Sequence, residues 1–276
     1  MKQTQPCPAL LYGTAWKKDD TRRLVALALA SGFRGIDTAN QAKHYHEEGV
    51  GQGIADALSK GNLKREDLFL QTKFTFVDGQ DHRLPFDPKA AVSAQVRQSF
   101  ESSLRHLGTS WLDSVLLHGP SRSSGLGPAD LEAWGALEAL VDEGKARAIG
   151  ISNVTAEQLE RLIETARVPP AYVQNRCYAS RGWDAEVRSL CGAHRIRYQG
   201  FSLLTANSQV VAGPAVREVA ARLDCTPAQV VLRFASQLGI LPLTGTTDPV
   251  HMREDLEVGG LTLDAAEMRA IELGAH

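Results

Sequence analysis

The chain has 276 residues, 43% of them hydrophobic and 22% charged, with a formal net charge of −2. This is ordinary globular composition and excludes disordered, collagen-like and coiled-coil chains. The near-neutral balance supplies no electrostatic drive toward nucleic acid or an anionic membrane surface. Cys7, Cys177, Cys191 and Cys225 are widely separated and form no C-x-x-C pair, so reduced thiols are expected rather than a zinc site or a disulfide framework. No apolar run reaches the length of a membrane span, and Met1 to Pro8 lacks an apolar signal-peptide core, which points to a cytoplasmic protein.

From the N-terminus onward, short strand-like runs alternate with segments of helical period, and no linker or low-complexity break interrupts them. The strand candidates are 9–12, 34–37, 68–73, 114–118, 146–150, 172–174, 197–201 and 240–243. Helices are expected over 20–31, 48–59, 88–107, 128–143, 156–167, 184–194, 215–223 with 227–238, and 249–256, followed by a last one at 264–273. Start signals stand at Asp87-Pro88, at Thr155 with Gln158, and at Thr226-Pro227. Eight strand–helix units predict a (β/α)8 barrel, one domain spanning residues 1–276, with a doubly wound open sheet as the alternative.

In a barrel the chemistry belongs where strands end. Three consecutive strand candidates stop at ionisable groups of different kinds: Asp37, Lys73 and His118. Each alone reads as a turn residue, a solvated end or a structural histidine. Together at one barrel mouth they suggest an Asp–Lys ion pair able to lower the pKa of a nearby phenol, and Tyr45 supplies one. A metal site built from His44, His46, Glu47 and Glu48 is the weaker reading, because the i, i+2 spacing suits no common helical ligand pair.

The ordered pieces Gly13-Thr14-Ala15, Gly32 to Ala39, Tyr45 with Val50-Gly51, Thr72-Lys73, Leu116-Leu117-His118, Gly150 to Asn153, and Gly245-Thr246-Thr247 with Glu254-Asp255-Leu256 resemble the aldo-keto reductases over nearly the whole chain. The resemblance implies a TIM barrel that binds NAD(P)(H) without a Rossmann motif and reduces aldehydes or ketones to alcohols. It implies a catalytic tetrad of Asp37, Tyr45, Lys73 and His118, with Tyr45 as general acid, Lys73 oriented by Asp37 assisting it, and His118 positioning the carbonyl oxygen. Cofactor contacts are implied at Gly13, Thr14, Asp37, Ser152, Asn153, Gln174, Phe201, Ser202, Leu204, Gly245, Thr246, Thr247, His251, Arg253, Glu254 and Asp255, with Asn175 as a further neighbour. Phe201 would stack on the nicotinamide.

Three departures from the family pattern matter. The segment between Asp37 and the tyrosine is lengthened, and counting back from Glu47 would put His44, not Tyr45, on the tyrosine position. The residues after the last strand lack the lysine that many members place at the adenosine 2′-phosphate, and His251 stands where they have arginine. NADP(H) is therefore the implied cofactor with NAD(H) as alternative, Arg253 and the helix-start amides near Thr246 and Thr247 being offered for phosphate. Finally, the chain stops at His276 without the longer tail of larger relatives, so an open pocket is expected. Its walls should come from Trp16, Phe74, His118 and the loops 74–87, 119–127 and 203–213, the Gly/Ser-rich 119–127 loop being mobile and its Arg122 solvated.

The expected partner is a small-molecule carbonyl, acted on by a monomer without metal, nucleic acid or membrane. A nicotinamide-binding partner module, like the potassium-channel β subunits of this family, is the alternative function. A metal-dependent hydrolase or isomerase on the same barrel is a third.

Overall fold

The computed structural model describes residues 8–274, so Cys7, the remainder of the 1–7 segment and the chain end at His276 lie outside the described residues. Eight parallel strands close into a barrel in chain order: β1 (Leu11–Gly13), β2 (Gly35–Asp37), β3 (Phe69–Phe74), β4 (Leu112–Leu117), β5 (Ala146–Ser152), β6 (Tyr172–Arg176), β7 (Arg197–Phe201) and β8 (Leu241–Thr244). β8 pairs back onto β1 through Leu11–Leu243 and Tyr12–Thr244. Every expected strand is present, with its ends within two residues of those expected and β7 coinciding at both, as the fraying of element boundaries allows.

Between the strands run α1 (Thr21–Ser31), α2 (Glu47–Leu58), α3 (Val92–Leu107), α4 (Pro128–Asp142), α5 (Ala156–Thr165), α6 (Ala185–Ala193), α7 (Ser208–Val211), α8 (Pro214–Leu223) and α9 (Pro227–Gln237), and after β8 come α10 (Pro249–Glu257) and α11 (Ala265–Leu273). The capping boxes read at Thr155 and Thr226 form: each hydroxyl accepts from the Gln158 or Gln229 amide at 3.2 Å, and each glutamine carbonyl returns the bond at 3.0 Å. The start expected at Asp87-Pro88 does not. Asp87 instead holds a turn, accepting from Lys89 N at its carboxylate and from Ala90 N at its carbonyl, and the helix begins four residues later at Val92.

Strand alternation sorts the interior. One set of side chains, including Leu70, Phe74, Leu117, Ile151 and Val173, faces outward and packs with helix residues such as Leu24, Leu107, Leu137 and Leu159. The other set fills the barrel. Leu11, Phe69, Leu241 and Leu243 form an apolar cluster there, against which Tyr172 and Phe201 pack. A polar layer also spans the interior. Asp37 is in register with Gln71 on the neighbouring strand, and Gln174 with Gln199. Gln71 Nε2 donates to Asp37 at 2.7 Å and to Gln199 at 2.8 Å, and Gln174 Nε2 donates to the same two acceptors at 2.9 Å each. Buried amides in a barrel are tolerable only when paired like this. Among the described residues no helix is long and apolar enough to cross a membrane.

Candidate active site

The C-terminal ends of the strands open into a cavity of about 1370 Å³. Its walls take residues from loops all around the mouth, from Trp16 and Tyr45 through His118, Asn153 and Phe201 to Thr246 and His251. That exceeds the roughly 300–1,000 Å³ of an ordinary small-molecule pocket, which leaves room for a dinucleotide and a second molecule.

At the floor, Lys73 Nζ donates to both Asp37 oxygens at 2.7 Å and to the Thr38 carbonyl at 2.8 Å. The Lys73 side chain is fully enclosed and the Asp37 side chain 3% exposed. Burial lowers the Lys73 pKa, with the Asp37 charge opposing that shift. Asp37 thus receives the ammonium and two glutamine amides, and its backbone carbonyl accepts from Thr14 N and Oγ1 at 3.0 Å.

The lengthened segment after β2 is folded by Gln41. Its carbonyl accepts from the amides of both His44 and Tyr45, at 3.1 and 3.0 Å. Its side chain donates to Gly79 O at 2.7 Å, and its Oε1 bonds His44 Nδ1 at 2.8 Å. Arg83 ties the same loop by donating to Ala42 O at 2.7 Å. The extra residues are taken up in this turn, and the two candidates for the phenol position part company. Tyr45 turns inward, 5.5 Å from Lys73 Nζ to ring centroid and edge-to-face with His118 at 6.0 Å. His44 lies at the rim against Trp16, ring centroids 4.1 Å apart.

The expected lowering of the phenol pKa is not found. Burial, followed by the Asp37 charge, raises it above the ordinary tyrosine value. Tyr45 therefore carries its proton throughout the neutral range. His118 is pushed down to about 3 by burial, then by the positive charges of Lys73 and His44, and is therefore neutral. Its Nδ1 is 2.7 Å from Thr75 Oγ1.

The candidate metal group is dispersed. His46 Nδ1 bonds the Lys18 carbonyl, while Glu47 is buried, accepts from Thr72 Oγ1 at 2.5 Å and meets His106 Nδ1 at 3.1 Å. Glu47 thus anchors the start of α2 to β3, next to Lys73. Among the described residues no group of three or more His, Cys, Asp or Glu side chains has metal-binding geometry.

Of the residues offered for a cofactor, Gly13, Asp37, Ser152, Asn153, Gln174, Phe201, Ser202, Leu204, Gly245, Thr246, His251, Glu254 and Asp255 line the cavity. Ser152 Oγ donates to Gln174 O at 2.6 Å, and Asn153 Nδ2 to His118 O at 2.8 Å. Trp16, Asn153 and Ser202 have φ of 65°, 53° and 58°, left-handed backbone that non-glycine residues rarely adopt and that gathers at functional loops.

Other expectations need correcting. Thr14 is buried beneath the cavity, bonded to β2, and Asn175 is occupied with Val154 and Asp184. Phe74 does not form a wall: since Lys73 points into the barrel, its neighbour must point out, and Phe74 packs with Phe76 and Phe86 in the outer core. Phe76 and Val77 line the cavity instead. Thr247 and Arg253 are exposed and stand off it, and the first turn of α10 is capped by Asp248, whose carboxylate accepts from Val250 N at 2.7 Å and competes with any phosphate there. The 119–127 loop is tied down: Asp130 accepts from Ser121 and Gly127, and Gln158 donates to the carbonyls of Arg122 and Gly125. Arg122 is exposed, as expected.

Three groups of participants escaped sequence reading. They are Gln71 and Gln199 beside Asp37, Thr75 on His118, and Lys17, whose ammonium reaches from the β1 loop to the Gly245 carbonyl across the mouth. Parity along β3 was the available signal, since it places 71, 73 and 75 on one face.

A family model described as Aldo/keto reductase family matches residues 9–273. Aldo-keto reductase family 4 member C11 of Arabidopsis thaliana is 31% identical over 256 residues, covering 87% of this chain and 76% of its own. A probable NAD(P)H-dependent D-xylose reductase of Emericella nidulans is 30% identical over 280 residues, covering 93% and 86%. The crystal structure of an aldo/keto reductase from Brucella melitensis superposes with a TM-score of 0.83 at 28% identity, over 97% of this chain and 95% of that one.

Proposed function

Because the chain belongs to the aldo/keto reductase family, a class of NAD(P)H-dependent oxidoreductases, we propose that it reduces aldehydes or ketones to alcohols with Tyr45 as the proton donor. The observation that carries this reading is the convergence of Tyr45, Lys73, Asp37 and His118 at one end of the cavity despite the lengthened loop. The opposite end is bordered by the β8 segment and α10.

The residues present fit a dinucleotide. Gln174 commits its amide nitrogen to Asp37 and Gln199, so the carbonyl oxygen is what it offers to the NH₂ of a carboxamide. Asn153 and Ser152 stand beside it, and the Phe201 ring supplies a face on which a nicotinamide stacks. Lys17 and Arg176 bring positive charge to the lining. The nicotinamide, when bound, supplies a hydride for the carbonyl carbon.

This chain's own part is acid catalysis and positioning. A carbonyl oxygen seated between Tyr45 and His118 takes its proton from the phenol as negative charge develops. The raised pKa of Tyr45 keeps that proton available, and Lys73, pinned by Asp37, presents a fixed positive group beneath the ring. His118, neutral, donates a hydrogen bond without competing for the proton. Trp16, Phe76, Val77 and Val92 make much of the wall apolar, which suits aliphatic and aromatic carbonyls.

The outer end of the cavity holds His251 with the carboxylates of Glu254 and Asp255, and Arg253 faces away. An imidazole beside two acids, with no lysine or arginine among them, does not reward a 2′-phosphate strongly, so NADH serves beside NADPH. The test is a panel of aldehydes mixed with protein and reduced cofactor. Loss of the reduced-nicotinamide absorbance with any member supports reduction, and cofactor binding without oxidation for all of them favours a binding module.

A further inference from the structure

His118 is held on every side but one. Its amide donates to the Phe74 carbonyl at 2.8 Å, its carbonyl accepts from Asn153 Nδ2 at 2.8 Å, and the Tyr45 ring packs edge-to-face against it. Among the described residues, only Thr75 hydrogen-bonds the ring, at Nδ1. Thr75 is buried and is itself locked. Its carbonyl accepts from Gln80 Nε2 at 3.3 Å, and its methyl group sits so close to Gly79 that a Cβ on that glycine would come within 2.6 Å of it. A β-branched side chain in such a slot keeps one rotamer.

We propose that Thr75 is the positioning residue for His118: its hydroxyl donates to Nδ1, which leaves the single ring proton on Nε2, facing the substrate carbonyl. The inference rests on the reading of the cavity as a carbonyl-reductase site. The direction of the bond follows from what else each group can do. Among the described residues the Thr75 hydroxyl has no other hydrogen-bond partner, so donation to Nδ1 is the one use for its proton. The reverse arrangement strands that proton in a buried place and turns a lone pair of Nε2 toward the carbonyl oxygen, where two acceptors would meet. The groups facing the ring are the phenol of Tyr45, the ammonium of Lys73 and the imidazole of His44; burial, and then the positive charge of Lys73, disfavour a second ring proton, so Thr75 selects between the two neutral tautomers.

Thr75 and Lys73 lie two apart on β3 and its extension, hence on the same side of the chain. A single run of backbone thus fixes both the ammonium under the phenol and the tautomer of the histidine beside it. A residue at position 75 without a hydroxyl frees the imidazole to rotate and to share its proton between the two nitrogens.

The test uses the full chain labelled with ¹⁵N-histidine, with His118→Ala to identify the signal, and the variants Thr75→Val, which keeps the shape and loses the donor, and Thr75→Ser, which keeps the donor. Wild type and Thr75→Ser are expected to show the Nε2–H tautomer, and Thr75→Val a mixture or the Nδ1–H form. Thr75→Ala makes the same comparison should Thr75→Val fail to fold. In turnover, Thr75→Val should lower kcat about tenfold with cofactor affinity unchanged, and Thr75→Ser should restore most of it. An Nδ1–H tautomer in wild type, or a Thr75→Val variant with wild-type tautomer and kcat, overturns the proposal. The tautomer readout needs no turnover, so a wild type inert toward carbonyls but showing Thr75-dependent Nε2–H upholds the positioning and refutes the activity.

Discussion

Gln71 and Gln199, on strands that do not touch, exchange a pair of hydrogen bonds across the barrel, Nε2 to Oε1 at 2.8 Å in one direction and 3.0 Å in the other. Both side chains are fully buried. Each is tied in turn to the candidate site, Gln71 by donating to Asp37 and Gln199 by accepting from Gln174. The same amides therefore stabilise the barrel and hold the carboxylate that holds Lys73.

Replacing Gln71 with Leu leaves the Gln199 amide facing an apolar neighbour and removes one donor from Asp37. A loss of roughly 1–3 kcal/mol is expected, as for a buried polar group left unpaired. The double replacement Gln71→Leu/Gln199→Leu should cost less than the two single losses added together, because neither amide is then stranded. Urea denaturation of the four proteins measures this, and additive losses would refute the coupling.

Breaking the ion pair is more severe. Lys73→Met strands the enclosed Asp37 carboxylate, for which a destabilisation of about 3–5 kcal/mol is expected, and Asp37→Asn in the Lys73→Met background should recover part of it. Thermal denaturation compares the single and double variants. Equal melting temperatures for Lys73→Met and wild type would contradict the burial of an unscreened pair.

His118 sets an acid limb of stability. Its folded pKa, about 3, lies below the ordinary imidazole value near 6.5, so on acidification the unfolded chain takes up this proton first. The contribution to folding is complete above about pH 6.5 and is lost progressively as the pH falls toward 3. Wild type should thus lose stability relative to His118→Gln over that interval. His106, whose pKa is raised by Glu47, acts in the opposite sense but is common to both proteins and cancels in the difference. A pH-independent gap between the two unfolding free energies would refute the assignment.

Most of the architecture was legible because every barrel strand is buried on both faces, or nearly so, and announces itself as an apolar run. Asp37, Lys73 and His118 were legible because they break those runs at the same end. Gln71 and Gln199 were not, since the partner that makes a buried amide tolerable stands 128 residues away. Phe74 was misplaced by ignoring the two-residue period that follows from Lys73 pointing inward. The helix expected at Pro88 starts at Val92 because Asp87 spends its carboxylate on a turn.

The proposed use of both cofactors turns on the residues of α10. Arg253→Ala should leave the affinity for NADPH within about twofold, since that side chain stands off the cavity, as a surface change of no more than ~0.5 kcal/mol would. His251→Arg should raise NADPH affinity roughly tenfold and leave NADH unchanged, by adding a charge-assisted bond to the 2′-phosphate. Fluorescence titration with each cofactor reads both. Loss of NADPH binding in Arg253→Ala would move the phosphate site.

The lengthened loop offers two residues for one position, and the account depends on Tyr45 being the acid. Aldehyde reduction by wild type, Tyr45→Phe and His44→Phe, with cofactor binding followed by fluorescence, decides between them. Tyr45→Phe should bind cofactor normally and lose at least a hundredfold in kcat, the lower end for removal of a general acid, while His44→Phe should stay within about tenfold of wild type. Full turnover by Tyr45→Phe, with His44→Phe inactive, would contradict the account.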